Sequence, residues 1–155
     1  ALRVTLFGAG SLEVAMSNNS IAYYHVQQMQ HATAEPIYRE ALNLLLALPE
    51  NESKPLWTAR AMQSLGNTLI HLERYNEAKS MLGEALDLKQ ALLSNNKPSV
   101  ALTLQSLAEV HYRLKDYAQA QEYAVRAIQI REETNDPKLS SAKALLSRIQ
   151  TEITE

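Results

Sequence analysis

One sequence pattern occurs three times in this chain of 155 residues. It reads AEPIYREALNL from Ala34, AKSMLGEALDL from Ala78 and AQEYAVRAIQI from Ala120, so the copies begin 44 and 42 positions apart. Alanine recurs seven residues into each copy, whereas most of the polar letters change. A period of this length indicates a repeat protein, in which one structural unit is built several times and packs on its neighbours.

Each copy is the second helix of a predicted helix pair. The first helix of the second unit has apolar residues at helical spacing, at Met62, Leu65, Leu69 and Leu72. A short charged turn follows the first helix in the second and third units, at Glu73-Arg74 and Lys115-Asp116. Small residues recur where the two helices face each other, at Ala22, Gly66 and Ala108 on the first helices. Without bulky side chains there, two antiparallel helices can approach to about 8–9 Å.

The register of the repeats divides the chain into one domain of three units and a final helix. We expect repeat units at residues 11–48, 55–94 and 98–134, a capping helix at 137–154, and at 1–7 either the tail of an earlier unit or a cloning remnant. Pro55, Pro98 and Pro137 mark the expected helix starts. The last segment places its apolar residues on one stripe and polar residues opposite, as expected of a helix that seals the end of a repeat array.

The composition excludes several classes of function. With 15 basic and 17 acidic side chains, the net charge of −2 provides no global attraction for nucleic acid or for an anionic membrane. The chain has no cysteine, which excludes disulfides, cysteine-ligated zinc and a cysteine nucleophile. No apolar run reaches the roughly 18 residues of a membrane span, and the first residues do not resemble a signal peptide. We therefore expect a cytoplasmic location.

Motifs for catalysis or metal binding are not found. His25, His31, His71 and His111 have no metal-binding spacing, and we expect His25, His31 and His111 to serve packing. The stretch Gly8-Ala9-Gly10 lacks the Lys-Ser/Thr pair of a phosphate-binding loop, and no serine lies in a nucleophile elbow. The chain is therefore predicted to be no enzyme and to need no cofactor and no metal.

The order of small, aromatic and small residues resembles the tetratricopeptide repeat. The resemblance rests on Leu65, Gly66, Tyr75, Ala78, Leu82 and Ala85, and it extends over nearly the whole chain. The long period, together with AEPIYREAL, GSLEVA and KPSVA, is similar to the long-linker subclass of kinesin light chains. Leu82 and Ala124 depart from it, since the family usually has an aromatic residue there. The resemblance implies an all-α fold, a right-handed superhelix (α-solenoid) of antiparallel helix pairs with a C-terminal capping helix.

The resemblance also implies a concave face, lined by the first helices, that binds peptides or partner proteins. The residues expected on it are Asn19, Tyr23, Arg60, Gln63, Asn67, His71, Gln105, Glu109, Tyr112, Arg113 and Arg148. Amides both donate and accept hydrogen bonds, so such a row suits the backbone of an extended peptide. Arginines suit an acidic side chain or a C-terminal carboxylate. Replacing Asn67 and Gln105 together is expected to weaken a partner without unfolding the domain.

We predict a non-catalytic interaction scaffold that binds a protein or an extended peptide, and neither nucleic acid nor membrane. One alternative is a peptide-sensing regulatory domain of a larger protein. Another is homotypic assembly through an N-terminal apolar edge formed by Leu2, Val4, Leu6 and Phe7. Trp57 fits either a staple between units or an exposed anchor for a partner.

Overall fold

A computed structural model describes residues 11–51, 53–93 and 98–154. Within these ranges the chain forms seven α-helices and no strand. They are α1 (Leu12–Gln27), α2 (His31–Ala47), α3 (Lys54–His71), α4 (Tyr75–Leu92), α5 (Pro98–Arg113), α6 (Tyr117–Glu133) and α7 (Leu139–Thr154). The expected N-terminal tail and the stretch Gly8-Ala9-Gly10 lie outside the described residues.

The chain groups into two compact units, one up to Ala85 and the other from Leu86. In the first unit, α2 packs on both α1 and α3, and α1 also contacts α3. In the second unit, α6 packs on both α5 and α7, and α5 contacts α7. Each unit therefore repeats one arrangement, in which a second helix lies against its own first helix and against the first helix that follows.

Four turns between helices share one backbone geometry. Each has a residue with positive φ, namely Met29 (59°), Glu73 (57°), Lys115 (61°) and Asn135 (50°). In each turn the next backbone N–H donates to the carbonyl five residues earlier, as from Asp116 to His111 at 2.8 Å. This is the longer hydrogen bond of the Schellman motif, which ends a helix and satisfies a carbonyl that would otherwise lack a donor. The repeated turn keeps each helix pair short-linked and antiparallel.

The first and second helices come closest at a small residue. A Cβ atom added to Gly66 of α3 would lie 2.6 Å from Cγ and 2.9 Å from Cδ2 of Leu82 in α4. Ala108 of α5 holds the same repeat position and is fully buried, beside the equally small Ala124 of α6. The sizes of the facing side chains are therefore coupled, because a large residue on one helix requires a smaller one opposite.

Gly66→Ala is expected to lower the free energy of unfolding by about 1–3 kcal/mol, because the added methyl group forces Leu82 to move within a packed core. Urea unfolding followed by circular dichroism measures the change.

Gly83 of α4 provides the matched control for this substitution. No atom lies within 4 Å of a Cβ added there. Gly83→Ala should therefore raise stability by about 0.5–1 kcal/mol, through helix propensity alone. Equal effects of the two substitutions would contradict the close contact at Gly66.

Candidate partner-binding surface

Five of the predicted surface residues come together on α5 and α7. Glu109 lies between two arginines: its Oε1 accepts from Nε of Arg113 at 2.7 Å, and its Oε2 lies 3.5 Å from NH1 of Arg148. The side chains of Arg113 and Arg148 are 46% and 50% exposed. The carboxylate of Glu109 thus contacts two guanidinium groups that solvent can reach.

Aromatic rings extend this cluster. The guanidinium of Arg148 lies over the ring of Tyr112, 4.8 Å from its centroid, in a cation–π arrangement. The hydroxyls of Tyr112 and Tyr117 donate to the carboxylate of Glu152 at 3.2 and 3.1 Å. Burial, and then this hydrogen bond to a carboxylate, raise the pKa of Tyr117. The two tyrosines therefore hold Glu152 in place beside Arg148, and we name Glu109, Tyr112, Arg113, Arg148 and Glu152 the α5–α7 cluster.

Gln105, the fifth predicted residue of this region, has both ends of its amide engaged within the protein. Its Oε1 accepts from NH2 of Arg131 at 2.9 Å, and its Nε2 donates to Oγ of Ser141 in α7 at 3.2 Å. Arg131 is fully buried, and its Nη1 pairs with Oδ2 of Asp136 at 2.5 Å. Gln105 therefore stabilises a buried cation, so we expect its replacement to lower the stability of the domain.

The remaining six predicted residues lie in the first unit with unequal exposure. Tyr23, Arg60 and His71 are exposed, whereas Asn19 and Asn67 are half-buried. Gln63 was expected on the surface but is buried, with 7% of its surface exposed. The reason is the position of α3, which contacts α1 and α2 and packs on α4 at Gly66, so little of its circumference faces solvent.

Two ring contacts on α3 involve residues that were not expected to pair. His71 stacks on His31, the first residue of α2, with ring centroids 4.2 Å apart and planes 9° from parallel. Both ring nitrogens of His31 are buried without a hydrogen-bond partner. Burial, and then the neighbouring His71, lower the pKa of His31. Near the start of α3, Arg60 lies over the half-buried ring of Trp57 at 5.0 Å.

Two fully buried cations were missed by sequence reasoning. Lys89 and Arg131 are both fully buried, and they lie 42 positions apart at the same place in the repeat. Nζ of Lys89 donates to Oγ1 of Thr103 at 2.9 Å, and so joins the end of α4 to α5. The recurrence of a basic residue at one repeat position was the available signal, but basic residues near helix ends are usually exposed.

These recurring helix pairs define the chain as an all-α repeat protein. The family profile described as tetratricopeptide repeat matches residues 12–91 and 57–133. The chain therefore belongs to the tetratricopeptide repeat family. No curated protein sequence matches it.

Three solved structures illustrate the shared fold. The apo form of RapI is similar with a TM-score of 0.82 and 16% identity, over 97% of this chain and 40% of that one. A kinesin light chain protein with nearly identical TPR-like repeats, from Podospora anserina, has a TM-score of 0.79 and 15% identity. The match covers 93% of this chain and 69% of that one. Aspartyl phosphate phosphatase F from Bacillus subtilis has a TM-score of 0.78 and 21% identity. The match covers 92% of this chain and 36% of that one.

At these identities the likeness concerns the fold alone. The predicted α-solenoid class and the tetratricopeptide repeat family are confirmed, and the likeness to the kinesin light chain repeats is one of fold. The chain spans about two fifths of the length of RapI.

Among the described residues, no helix is both long and apolar enough to cross a membrane. The same part of the chain brings no three histidine or acidic side chains together as a metal site.

The stacked histidines should make stability depend on pH. Because the pKa of His31 is lower in the folded than in the unfolded chain, protonation favours unfolding. Its contribution is present above the ordinary histidine pKa of about 6.5 and is lost as pH falls toward the lower folded value. His31→Tyr, which installs the residue found at Tyr75 and Tyr117, should flatten the loss of stability between about pH 7 and pH 5. Chemical unfolding at several pH values measures this, and identical slopes in the two proteins would contradict it.

Gln105→Ala should lower the free energy of unfolding by about 1–3 kcal/mol, because the buried guanidinium of Arg131 loses an acceptor. Asn67→Ala, on the corresponding region of α3, serves as the comparison and should cost less than Gln105→Ala. Urea unfolding measures both variants, and a larger loss at Asn67 would contradict the assignment.

Proposed function

We propose that this chain is a non-catalytic, cytoplasmic interaction module that binds an extended protein segment at its α5–α7 cluster. The observation that carries the proposal is the α5–α7 cluster, in which Arg113 and Arg148 both contact the carboxylate of Glu109 while about half exposed. Such a cluster presents charge to solvent without belonging to the core.

The chemistry of the cluster favours an acidic side chain or a C-terminal carboxylate in the bound segment. Arginine binds carboxylates through paired hydrogen bonds, and these bonds are stronger than those between neutral groups. The contact between Arg148 and Glu109 is long at 3.5 Å, so an incoming carboxylate competes with a weak partner at that position. The ring of Tyr112 beneath Arg148 keeps the guanidinium in place and offers an apolar surface to the same ligand.

The long Glu109–Arg148 contact also favours a second candidate, a peptide-responsive regulatory domain. This contact joins α5 to α7, and a ligand that takes Arg148 from Glu109 would alter how α7 is held. The similarity to RapI and to aspartyl phosphate phosphatase F is one of fold, and we do not extend the activity of that phosphatase to this chain. The homotypic alternative rested on Leu2, Val4, Leu6 and Phe7, which lie outside the described residues.

Affinity capture tests the proposal. The immobilised chain should retain a specific protein from a lysate of its source, identified by mass spectrometry, and the combined substitution Arg113→Ala and Arg148→Ala should abolish retention. Calorimetry with the bound segment should then show a loss of about 1.5–3 kcal/mol per arginine contact removed.

Arg126→Ala is the control for the loss of an arginine outside the cluster. Arg126 lies on α6, a second helix, with its guanidinium 6.0 Å from the ring centroid of Tyr123, so its removal should leave binding unchanged. Equal binding by the double variant and the native chain, with unchanged circular dichroism, would contradict the proposal. For the regulatory candidate, hydrogen exchange in α7 should change on binding, and unchanged exchange counts against it.

A further inference from the structure

The α5–α7 cluster already holds a carboxylate of the chain itself, that of Glu152. One of its oxygens accepts from the hydroxyl of Tyr112 at 3.2 Å, and the other accepts from the hydroxyl of Tyr117 at 3.1 Å. The centroids of the two tyrosine rings are 5.9 Å apart, so a single carboxylate bridges both hydroxyls. The geometry therefore shows that the space between these hydroxyls fits a carboxylate.

The repeat register indicates that packing does not require an acid at this position. Thr68 of α3, Val110 of α5 and Glu152 of α7 follow one another at intervals of 42 residues. Thr68 and Val110 are uncharged and buried, at 2% and 0% exposure, whereas Glu152 is exposed. A charged side chain at a position that α3 and α5 bury indicates a role other than packing.

Glu152 can leave the two hydroxyls without disturbing the core. Its side chain is exposed, and in the part of the chain that the structure describes it forms no ion pair with a lysine or an arginine. Rotation of the side chain into water exchanges two hydrogen bonds to hydroxyls for hydrogen bonds to water, and such an exchange has a small net cost. The carboxylate of Glu152 is therefore held weakly.

A carboxylate from a bound segment can form a stronger contact at the same place. Arg148 lies one helical turn before Glu152, but its guanidinium lies over the ring of Tyr112 and 3.5 Å from Glu109. A carboxylate that is not attached to α7 can accept from a tyrosine hydroxyl and from Arg148 together. Hydrogen bonds between guanidinium and carboxylate are among the strong ones in proteins, so an external carboxylate gains a partner that Glu152 lacks.

We propose that Glu152 is an internal competitor at the α5–α7 cluster, displaced when a carboxylate of the bound segment takes its place at the hydroxyls of Tyr112 and Tyr117. This inference rests on the proposed function and identifies what regulates the same site. While Glu152 occupies the hydroxyls, other carboxylates cannot bind there, so the apparent affinity is reduced by the fraction of molecules in which the site is free. The contact thus favours segments that carry a carboxylate over neutral ones.

Titration followed by nuclear magnetic resonance tests the proposal with N-acetylglutamate amide, a small probe that has a side-chain carboxylate and no charged terminus. The backbone amide signals of Tyr112, Tyr117 and Arg148 report binding. Glu152→Gln should lower the Kd of the probe about tenfold, as expected when a competitor occupies the site in about nine of ten molecules. Glu152→Ala, which leaves no acceptor at all, should bind the probe at least as tightly as Glu152→Gln does.

Matched controls separate displacement of Glu152 from a general effect of charge. Glu133→Gln removes one exposed carboxylate from α6, outside the cluster, and should leave the Kd at its native value. The neutral probe N-acetylglutamine amide should shift none of the three signals. Tyr117→Phe, added to Glu152→Gln, removes one hydroxyl and should reverse the gain in affinity. N-acetylalanine has only a terminal carboxylate, so the tighter of the two carboxylate probes identifies whether a side chain or a C-terminus of the segment occupies the site.

Three results of the titration would overturn the proposal. They are carboxylate probes that bind Glu152→Gln and Glu152→Ala no more tightly than the native chain, an equal gain in Glu133→Gln, and a gain that persists with Tyr117→Phe. Circular dichroism of each variant ensures that a change in affinity does not reflect unfolding. Failure of the proposed function is separate, because affinity capture measures it. A captured partner that the native chain and Glu152→Gln bind equally well would leave the proposed function intact and contradict the internal competitor.

Discussion

The close approach of paired helices at one small residue is the constraint on which the rest of this structure depends. In α3 and α4 the small Gly66 faces the large Leu82, whereas in α5 and α6 the small Ala108 lies beside the small Ala124. The two helix pairs therefore fill the space between their helices with different combinations of side chains. The turn that follows each first helix then fixes the antiparallel direction through its residue of positive φ. With distance and direction set, the outer side of each first helix is free to carry polar groups. The α5–α7 cluster is therefore a product of the packing beneath it.

Much of this arrangement could be predicted from the sequence, because the repeat provides three readings of one pattern. The apolar residues Leu65 and Leu107 recur in register and were expected in the core, and the structure buries both. The surface position of Glu109, Arg113 and Arg148 could also be predicted, since these residues fall outside the apolar stripe of their helices. Their mutual contacts could not be predicted, because ion pairs between α5 and α7 depend on how far side chains reach from one helix to the other.

The rest could not be predicted because it depends on how many neighbours a helix has. Gln63 follows the same sequence rule as Gln105, yet it is buried, since α3 has packed helices on several sides. Lys89 and Arg131 look like ordinary basic residues near a helix end. They are buried because Thr103 and Asp136 supply polar partners from the next element. Periodicity identifies the buried side of a helix, but it does not show when a polar side chain finds a partner there.

The ion pair between Arg131 and Asp136 has a consequence for how this chain can be divided. Asp136 lies between α6 and α7, and the amide of Gln105 that holds the same guanidinium also donates to Ser141 on α7. A chain cut after Glu133 would retain the buried cation and lose its carboxylate, at a cost of about 3–5 kcal/mol. Helix α7 is thus held in place by this ion pair and by the hydrogen bond from Gln105, as well as by apolar contacts. Any boundary drawn for expression or for transplanting these repeats into another protein belongs after Thr154.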